Sequence, residues 1–139
     1  RHQDKDLLAR TFLAVQRDGA EERIAGYFTL TTTSVERSSL STIESLRRLP
    51  RFPIPGILLA RLAVDPRVQG QGVGRYLLRE ALGLSLDLMS LGGFAFRLLV
   101  TDAIDEAAAR FYEHHGFARL TPEGPCRLVL DLGPFTAPS

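Results

Sequence analysis

Apolar and polar positions along the chain change period several times, and each change predicts an element. Residues 11–16 carry Phe12, Leu13 and Val15 in a short extended run. Arg17-Asp18-Gly19-Ala20 then gives a turn signal. Residues 24–33 are rich in aromatic and β-branched side chains, which predicts a second strand and so an antiparallel hairpin. Residues 38–48 open with Ser and Thr and space Leu40, Ile43 and Leu46 as a short helix. Pro50, Pro53 and Pro55 predict a stiff extended connector. The run 56–64, ended by Asp65-Pro66, is the most apolar segment and predicts a strand covered on both faces.

Residues 73–91 return to helical spacing through Leu77, Leu78, Ala81, Leu82, Leu84, Leu88 and Leu91, and Gly92-Gly93 stops them. Residues 94–100 predict another buried strand. Residues 105–115 predict a helix that Asp105 caps, with Ala108, Phe111 and Tyr112 on one face and Gly116 as its terminator. Residues 117–120 and 127–132 predict a closing strand pair around the turn 121–125, and the tail from Gly133 is expected to fray. The order β-β-α-β-α-β-α-β-β describes a mixed α/β sheet in a single domain over residues 1–139.

Composition changes this picture little. Hydrophobic residues at 45% and charged residues at 24% are those of a globular chain rather than a disordered one. Cys126 is the only cysteine, which excludes an internal disulfide and a thiolate metal cluster and fits a reducing cytoplasm. No stretch is apolar for 18 residues, so no membrane helix is expected, and residues 1–6 lack a signal-peptide core. The chain does not begin with Met, which leaves a processed or truncated start open. Charge is more informative than composition. The net charge is +1, yet residues 47–79 hold seven arginines (47, 48, 51, 61, 67, 75, 79) against the single acid Asp65, a local excess able to attract phosphates.

Between the apolar strand and the long helix stands Gln69-Gly70-Gln71-Gly72-Val73-Gly74. A strand entering a glycine turn entering a helix makes an anion site, because the first helical N–H groups lack partners and the helix dipole favours negative charge there. Arg67 and Arg75 flank the turn. A P-loop would need Lys-Ser/Thr after the last glycine, where Arg75-Tyr76 stand. The dinucleotide fingerprint would need a glycine where Arg75 stands.

Gln69, Gly72 and Gly74 resemble the (Gln/Arg)-x-x-Gly-x-(Gly/Ala) motif of the GCN5-related N-acetyltransferases (GNAT). Ala108, Tyr112, Gly116 and Phe117 are similar to that family's A-x-x-x-Y-x-x-x-G-F element. The resemblance implies a mixed, mostly antiparallel central sheet flanked by helices, here without the N-terminal strand and helix. It implies acetyl-CoA as cofactor, with its pyrophosphate on the amides of Gln69, Gly70, Gln71, Gly72, Val73, Gly74 and Arg75 and its pantetheine along Leu62, Ala63 and Val64. Ala108 belongs to the same cofactor-binding set. The strand 94–100 would splay away to admit the cofactor. Asp105 stands where many members have Asn, which puts an amide contact at that position in question.

Acetyl transfer to an amine needs a neutral amine, a polarised thioester carbonyl and a protonated leaving thiolate. A backbone N–H near Val64 would serve the oxyanion, and Tyr112, with an ordinary pKa of about 10, would protonate the sulfur. Tyr27 and Tyr76 lack the motif and read as structural. Glu36 and Glu44 are base candidates by position, but they read first as solvated carboxylates. A site with no dedicated base suits an α-amine, which ionises near 7.7–8.0, better than a lysine near 10.4. His114 and His115, adjacent on a helix, are expected to point apart, so no metal is expected. Cys126 reads as a small buried hydrophobe.

A finer resemblance concerns the acceptor. Arg47-Arg48-Leu49-Pro50-Arg51, the strand 58–65 and Ala25-Gly26-Tyr27-Phe28-Thr29-Leu30 look like the GNAT toxins of bacterial toxin–antitoxin modules, which acetylate the α-amine of aminoacyl-tRNA and block translation. The resemblance implies a tRNA surface at Arg47, Arg48 and Arg51, neutralisation by a ribbon-helix-helix antitoxin, a homodimer and a cytoplasmic location. Two other readings stand beside it. One is a GNAT acting on a small-molecule amine or protein N-terminus, and the other is a non-catalytic CoA-binding module.

Overall fold

The structure is a computed structural model that describes residues 9–36, 40, 43, 53–91, 97–120 and 126–136. Six strands form one sheet in the order β1-β2-β3-β4-β6-β5. Strand β1 is Arg10–Asp18, β2 is Glu21–Val35 and β3 is Ile54–Val64. A 3-10 turn at Pro66–Val68 leads to helix α1, Val73–Leu91. Strand β4 (Leu98–Ala103), helix α2 (Glu106–His114), β5 (Ala118–Arg119) and β6 (Cys126–Asp131) complete the order. All strand pairs are antiparallel except β3 with β4. The fold is therefore the mixed α/β sheet that the sequence pattern and the family resemblance imply.

The hairpin is as expected but longer, closing at Asp18↔Glu21 with Gly19 at φ 67° in the two-residue turn. Three boundaries differ from the sequence reading. Pro55 belongs to β3 instead of the connector, pairing with Ser34 at the strand's start, where its carbonyl accepts from the Arg97 N–H at 3.1 Å. Strand β4 runs on to Ala103, because antiparallel pairing with β6 continues to Ala103↔Cys126. Residues 133–136, expected to fray, form a helical turn (α3) held by the Asp131 carboxylate accepting from the Gly133 N–H and the Leu132 carbonyl accepting from that of Phe135. Of the helix expected over 38–48, only Leu40 and Ile43 are described, and both pack in the core; the rest lies outside the described residues.

The sheet buries both faces, using the alternation of strand side chains. On one face Leu99, Thr101 and Ala103 of β4 lie under α1 and α2, among Phe28, Leu59, Leu77, Ala81, Ala109, Tyr112 and Leu128. On the other, Leu98 and Val100 join Val35, Leu40, Ile54 and Val129. Strand β3 is not covered along its whole length as expected. Ile54, Gly56, Ile57 and Leu59 are buried, but Ala60 and Arg61 are exposed and Leu62 to Val64 only half-buried. The pairing explains this. Parallel rungs join β3 to β4 only from Gly56↔Leu98 to Leu59↔Thr101. At the next residue β3 bulges against β2, since Thr29 faces Arg61 and Leu30 faces Leu59, leaving Ala60 over. A bulge bends the strand that carries it, and beyond it β3 and β4 part.

Helix α1 is seated at a glycine. A second bulge, in β2, leaves Ala25 unmatched, and its carbonyl accepts from the Asp65 N–H at 2.8 Å. A Cβ on the next residue, Gly26, would stand 2.5 Å from the Ala63 carbonyl oxygen and 2.8 Å from Leu77 Cδ1. The absence of a side chain therefore lets α1 lie against β2 and β3. Gly26→Ala is expected to destabilise the fold by about 1–3 kcal/mol, the usual range for overpacking, read as a lower urea midpoint at unchanged slope.

Candidate functional site

Beyond the last rung with β4, the end of β3 faces a cavity of about 810 Å³, lined by Leu62, Val64, the turn 69–75, Phe111, His114 and His115. Each wall has a local cause. The floor is the half of β3 that has lost its β4 partner, and by strand alternation Leu62 and Val64 face in while Ala63 faces a separate hollow with Ile24 and Tyr27. The turn is set by Gly70 and Gly72 at φ 85° and 83°, a region that side-chain-bearing residues rarely adopt. The first α1 rung is the Tyr76 N–H donating to the Gly72 carbonyl at 3.0 Å. The N–H groups of Val73, Gly74 and Arg75 precede it and are those a helix leaves for an anion.

Asp65 and Arg67 brace the 3-10 turn that leads into the glycine turn. The Asp65 carboxylate accepts from the Arg67 N–H at 2.9 Å and from its guanidinium at 2.6 Å. These hydrogen bonds hold the carboxyl well down, at about 2. Arg67, expected beside the phosphate, is thus committed to Asp65, while Arg75 lines the cavity.

Helix α2 supplies the far wall. Asp105 caps it, its carboxylate accepting from the Ala108 N–H at 2.8 Å. Asp105 and Ala108, expected against the cofactor, are not among the lining residues; capping occupies the Asp105 carboxylate, and Ala108 packs beside the core. In their place stand Phe111, His114 and His115, which the sequence reading left out of the site. The two histidines were expected to point apart, but their ring centroids are 5.2 Å apart and both line the cavity. His115 lies in the turn after α2, at its C-cap, so helical phase does not separate the pair. Its ring stacks edge-on with Phe111 at 4.9 Å. Burial, then the charges of His114, Arg75 and Arg79, push its pKa below the usual value.

Tyr112 stands behind this wall, 7% exposed, with Phe111 and Phe117 each 5.3 Å from its ring. Burial pushes its pKa up, against a smaller opposing effect of the neighbouring Thr101 hydroxyl. That hydroxyl donates to the Leu59 carbonyl at 3.0 Å, on the last parallel rung. Tyr112 thus neighbours the apex of the β3–β4 fork and lies behind the residues that line the cavity. Tyr76 is exposed and Tyr27 half-buried, both away from this apex. Glu36 is exposed just past β2; Glu44, Arg47, Arg48 and Arg51 lie outside the described residues. Cys126 is buried, as expected.

A family model described as an acetyltransferase (GNAT) domain matches residues 9–119. The chain belongs to the GNAT acetyltransferases. Its sequence is 35% identical over 114 residues to a tRNA-acetylating toxin of Mycobacterium tuberculosis, a match covering 82% of this chain and 64% of that protein. The chain thus spans just under two thirds of the length of this relative. Among solved structures, AtaT complexed with acetyl-methionyl-tRNAfMet matches with a TM-score of 0.80 at 27% identity, over 96% of this chain and 77% of that one. A Tyr-to-Phe mutant of the AtaT toxin, bound to the C-terminus of the antitoxin AtaR and acetyl-CoA, matches with a TM-score of 0.71 at 26% identity, over 98% and 77%.

In this GNAT chain the low pKa of His115 has a sign that can be read. A folded pKa below the unfolded value of about 6.5 means that the unfolded chain binds the proton better. The histidine's contribution to stability is therefore complete above about pH 6.5 and is lost as pH falls through the folded pKa. NMR titration of the His115 ring is expected to give a midpoint below that of a model histidine, and Arg79→Gln to move it upward. An unmoved midpoint in that variant contradicts the charge coupling.

Proposed function

We propose that the protein is an acetyl-CoA-dependent N-acetyltransferase that acetylates the α-amino group of aminoacyl-tRNA, a toxin that blocks translation in the cytoplasm. The observation that carries the enzymatic reading is the fork: a glycine-turn anion site and an open strand edge on one cavity, with a buried phenol behind its wall. The N–H groups of residues 73–75 and the Arg75 guanidinium suit the cofactor's pyrophosphate. The unpaired edge of Leu62 to Val64 suits the amides of its pantetheine arm. Acetyl-CoA supplies the activated acyl group. The relatives' own acceptor and ligands support tRNA as the acceptor here and an antitoxin as the partner, for which we propose the ribbon-helix-helix class.

The chain's own residues then divide the work. The turn and β3 orient the thioester so that its carbonyl lies against the open strand edge. Tyr112 Oη holds the proton that the leaving sulfur takes as the C–S bond breaks, and the amine nitrogen gives up its proton as the new C–N bond forms. Burial keeps the phenol protonated at neutral pH, as an acid requires. A polyanionic acceptor agrees with the arginine excess over residues 47–79.

The deciding assay is transfer from labelled acetyl-CoA to total charged tRNA, with deacylated tRNA as control. Label is expected on charged tRNA alone, falling steeply with salt. Tyr112→Phe is expected to lower kcat by roughly 10²–10⁴ with acetyl-CoA affinity retained. Folded protein that binds acetyl-CoA but labels only a small amine or a peptide N-terminus would remove tRNA from the proposal. Gly72→Ala, which forces a Cβ into a positive-φ position, is expected to weaken acetyl-CoA binding at least tenfold by calorimetry, and unchanged binding would contradict the placement of the pyrophosphate.

A further inference from the structure

We propose that Arg79 and His115, with Arg75 and His114 beside them, form a second anion subsite that takes the ribose 3′-phosphate of coenzyme A and so distinguishes coenzyme A from its dephospho form. The inference rests on the placement of the cofactor's pyrophosphate at the glycine turn.

Arg75 and His115 belong to two hollows at once. Both line the 810 Å³ cavity, and both line a smaller hollow of about 210 Å³ between α1 and the turn after α2, where Arg79 joins them. His114 stands on the cavity side, its ring centroid 5.2 Å from that of His115. No carboxylate lines either hollow. The nearby acids are committed elsewhere, Asp65 to Arg67 and both Glu106 and Glu113 to Arg119. Arg67, Arg97, Arg110, Arg119 and Arg127 each have a carboxylate partner, whereas among the described residues Arg75 and Arg79 have none. Helix α1 sharpens the contrast. Its first turn holds no acid, although the helix dipole favours one there, and carries Arg75 instead. Arg79 follows four residues later on the same helix face. The cations also act against one another, since the charges of His114, Arg75 and Arg79 add to burial in lowering the His115 pKa.

Four cationic or ionisable groups around one rim, with no counter-charge from the fold, suit an anion from outside. Their number favours a phosphate monoester, which carries nearly two charges at neutral pH and three free oxygens. A backbone diester of tRNA carries one charge. A guanidinium can present two parallel N–H groups to such oxygens. Coenzyme A carries a monoester of this kind on its ribose, next to the pyrophosphate. The smaller hollow adjoins the glycine turn through Arg75, and no β3 residue lines it, so it lies off the path proposed for the pantetheine arm. Its floor is apolar, with Leu78 and Phe117 buried beneath the charged rim. An apolar floor supplies no competing hydrogen bonds and leaves the rim as the source of recognition.

The test is calorimetric binding of coenzyme A and of 3′-dephospho-coenzyme A to the full chain at one fixed salt concentration. Wild type is expected to bind coenzyme A about tenfold more tightly than the dephospho form, as charge-assisted contacts to a phosphate imply. Arg79→Gln is expected to remove most of that difference by weakening coenzyme A alone, and Arg79→Lys to restore part of it. In NMR titrations coenzyme A is expected to raise the His115 midpoint, because an adjacent anion favours the imidazolium, and the dephospho form to raise it less. Equal affinities in wild type overturn the proposal, and so does an Arg79→Gln variant that weakens both ligands equally. An Arg79→Gln variant that keeps the preference but raises KM for charged tRNA also overturns it, assigning the cluster to backbone phosphates of the acceptor. Gly72→Ala keeps the underlying reading separate: it is expected to weaken both ligands alike, and if it weakens neither, the pyrophosphate placement itself fails. Thermal melts establish that each variant is folded.

Discussion

Much of the molecule follows from the point where β3 and β4 stop being neighbours. Parallel pairing lasts four rungs and ends at Leu59↔Thr101, while each strand keeps its antiparallel partner on the far side, β2 for β3 and β6 for β4. Because those outer pairings persist, the strands can separate without either losing its place in the sheet. The bulge at Ala60 supplies the bend. One backbone edge of β3 is thereby released from the ladder inside an otherwise packed domain. An edge of this kind is ordinarily a hazard that proteins cover. Here it faces a cavity and is available to a ligand with amides of its own.

The same parting places the anion site. Strand β3 continues past the fork to Asp65, where the Ala25 carbonyl holds the Asp65 N–H and the Asp65–Arg67 pair stiffens the 3-10 turn. The glycine turn then reverses direction into α1, whose seat on Gly26 fixes the axis along which the helix N–H groups point. The proposed pyrophosphate site and the open strand edge are therefore two ends of one covalent segment, residues 62–75. A flexible cofactor that must present its thioester at one end while anchored by charge at the other suits this geometry.

Sequence alone made the local parts of this legible and the angular parts not. The glycine turn, the Asp105 cap and the Tyr112 motif are each set by contiguous residues with strong conformational demands, and they lie on the expected elements. Pro55 was misassigned because a proline is tolerated at a strand's start, where its missing N–H costs nothing. Phe111 and His114, one helical turn apart, lie on one helix face, and the C-cap residue His115 joins them only through the turn that ends the helix. The tertiary reach of Thr101 leaves no trace in sequence, since the choice of Leu59 as partner depends on register.

The buried phenol raises a question of proton balance that the site can answer. A thiol near the cysteine reference of about 8.5 is a stronger acid than a phenol above 10, so a lone handover from Tyr112 to the thiolate runs uphill. Burial makes this worse, because it pushes the phenol's pKa further up. The deficit disappears when the attacking nitrogen is counted. On forming the C–N bond that nitrogen becomes far more acidic than the phenol, and a phenolate in the same apolar apex takes its proton readily. In the proposed mechanism Tyr112 gives a proton to sulfur and recovers one from nitrogen, returning to its starting state with no second titratable group. On this balance a raised phenol pKa is an advantage for the second transfer, and the proposed mechanism needs no carboxylate base. It also restricts the acceptor to amines that arrive neutral, which favours an α-amine over a lysine side chain at physiological pH.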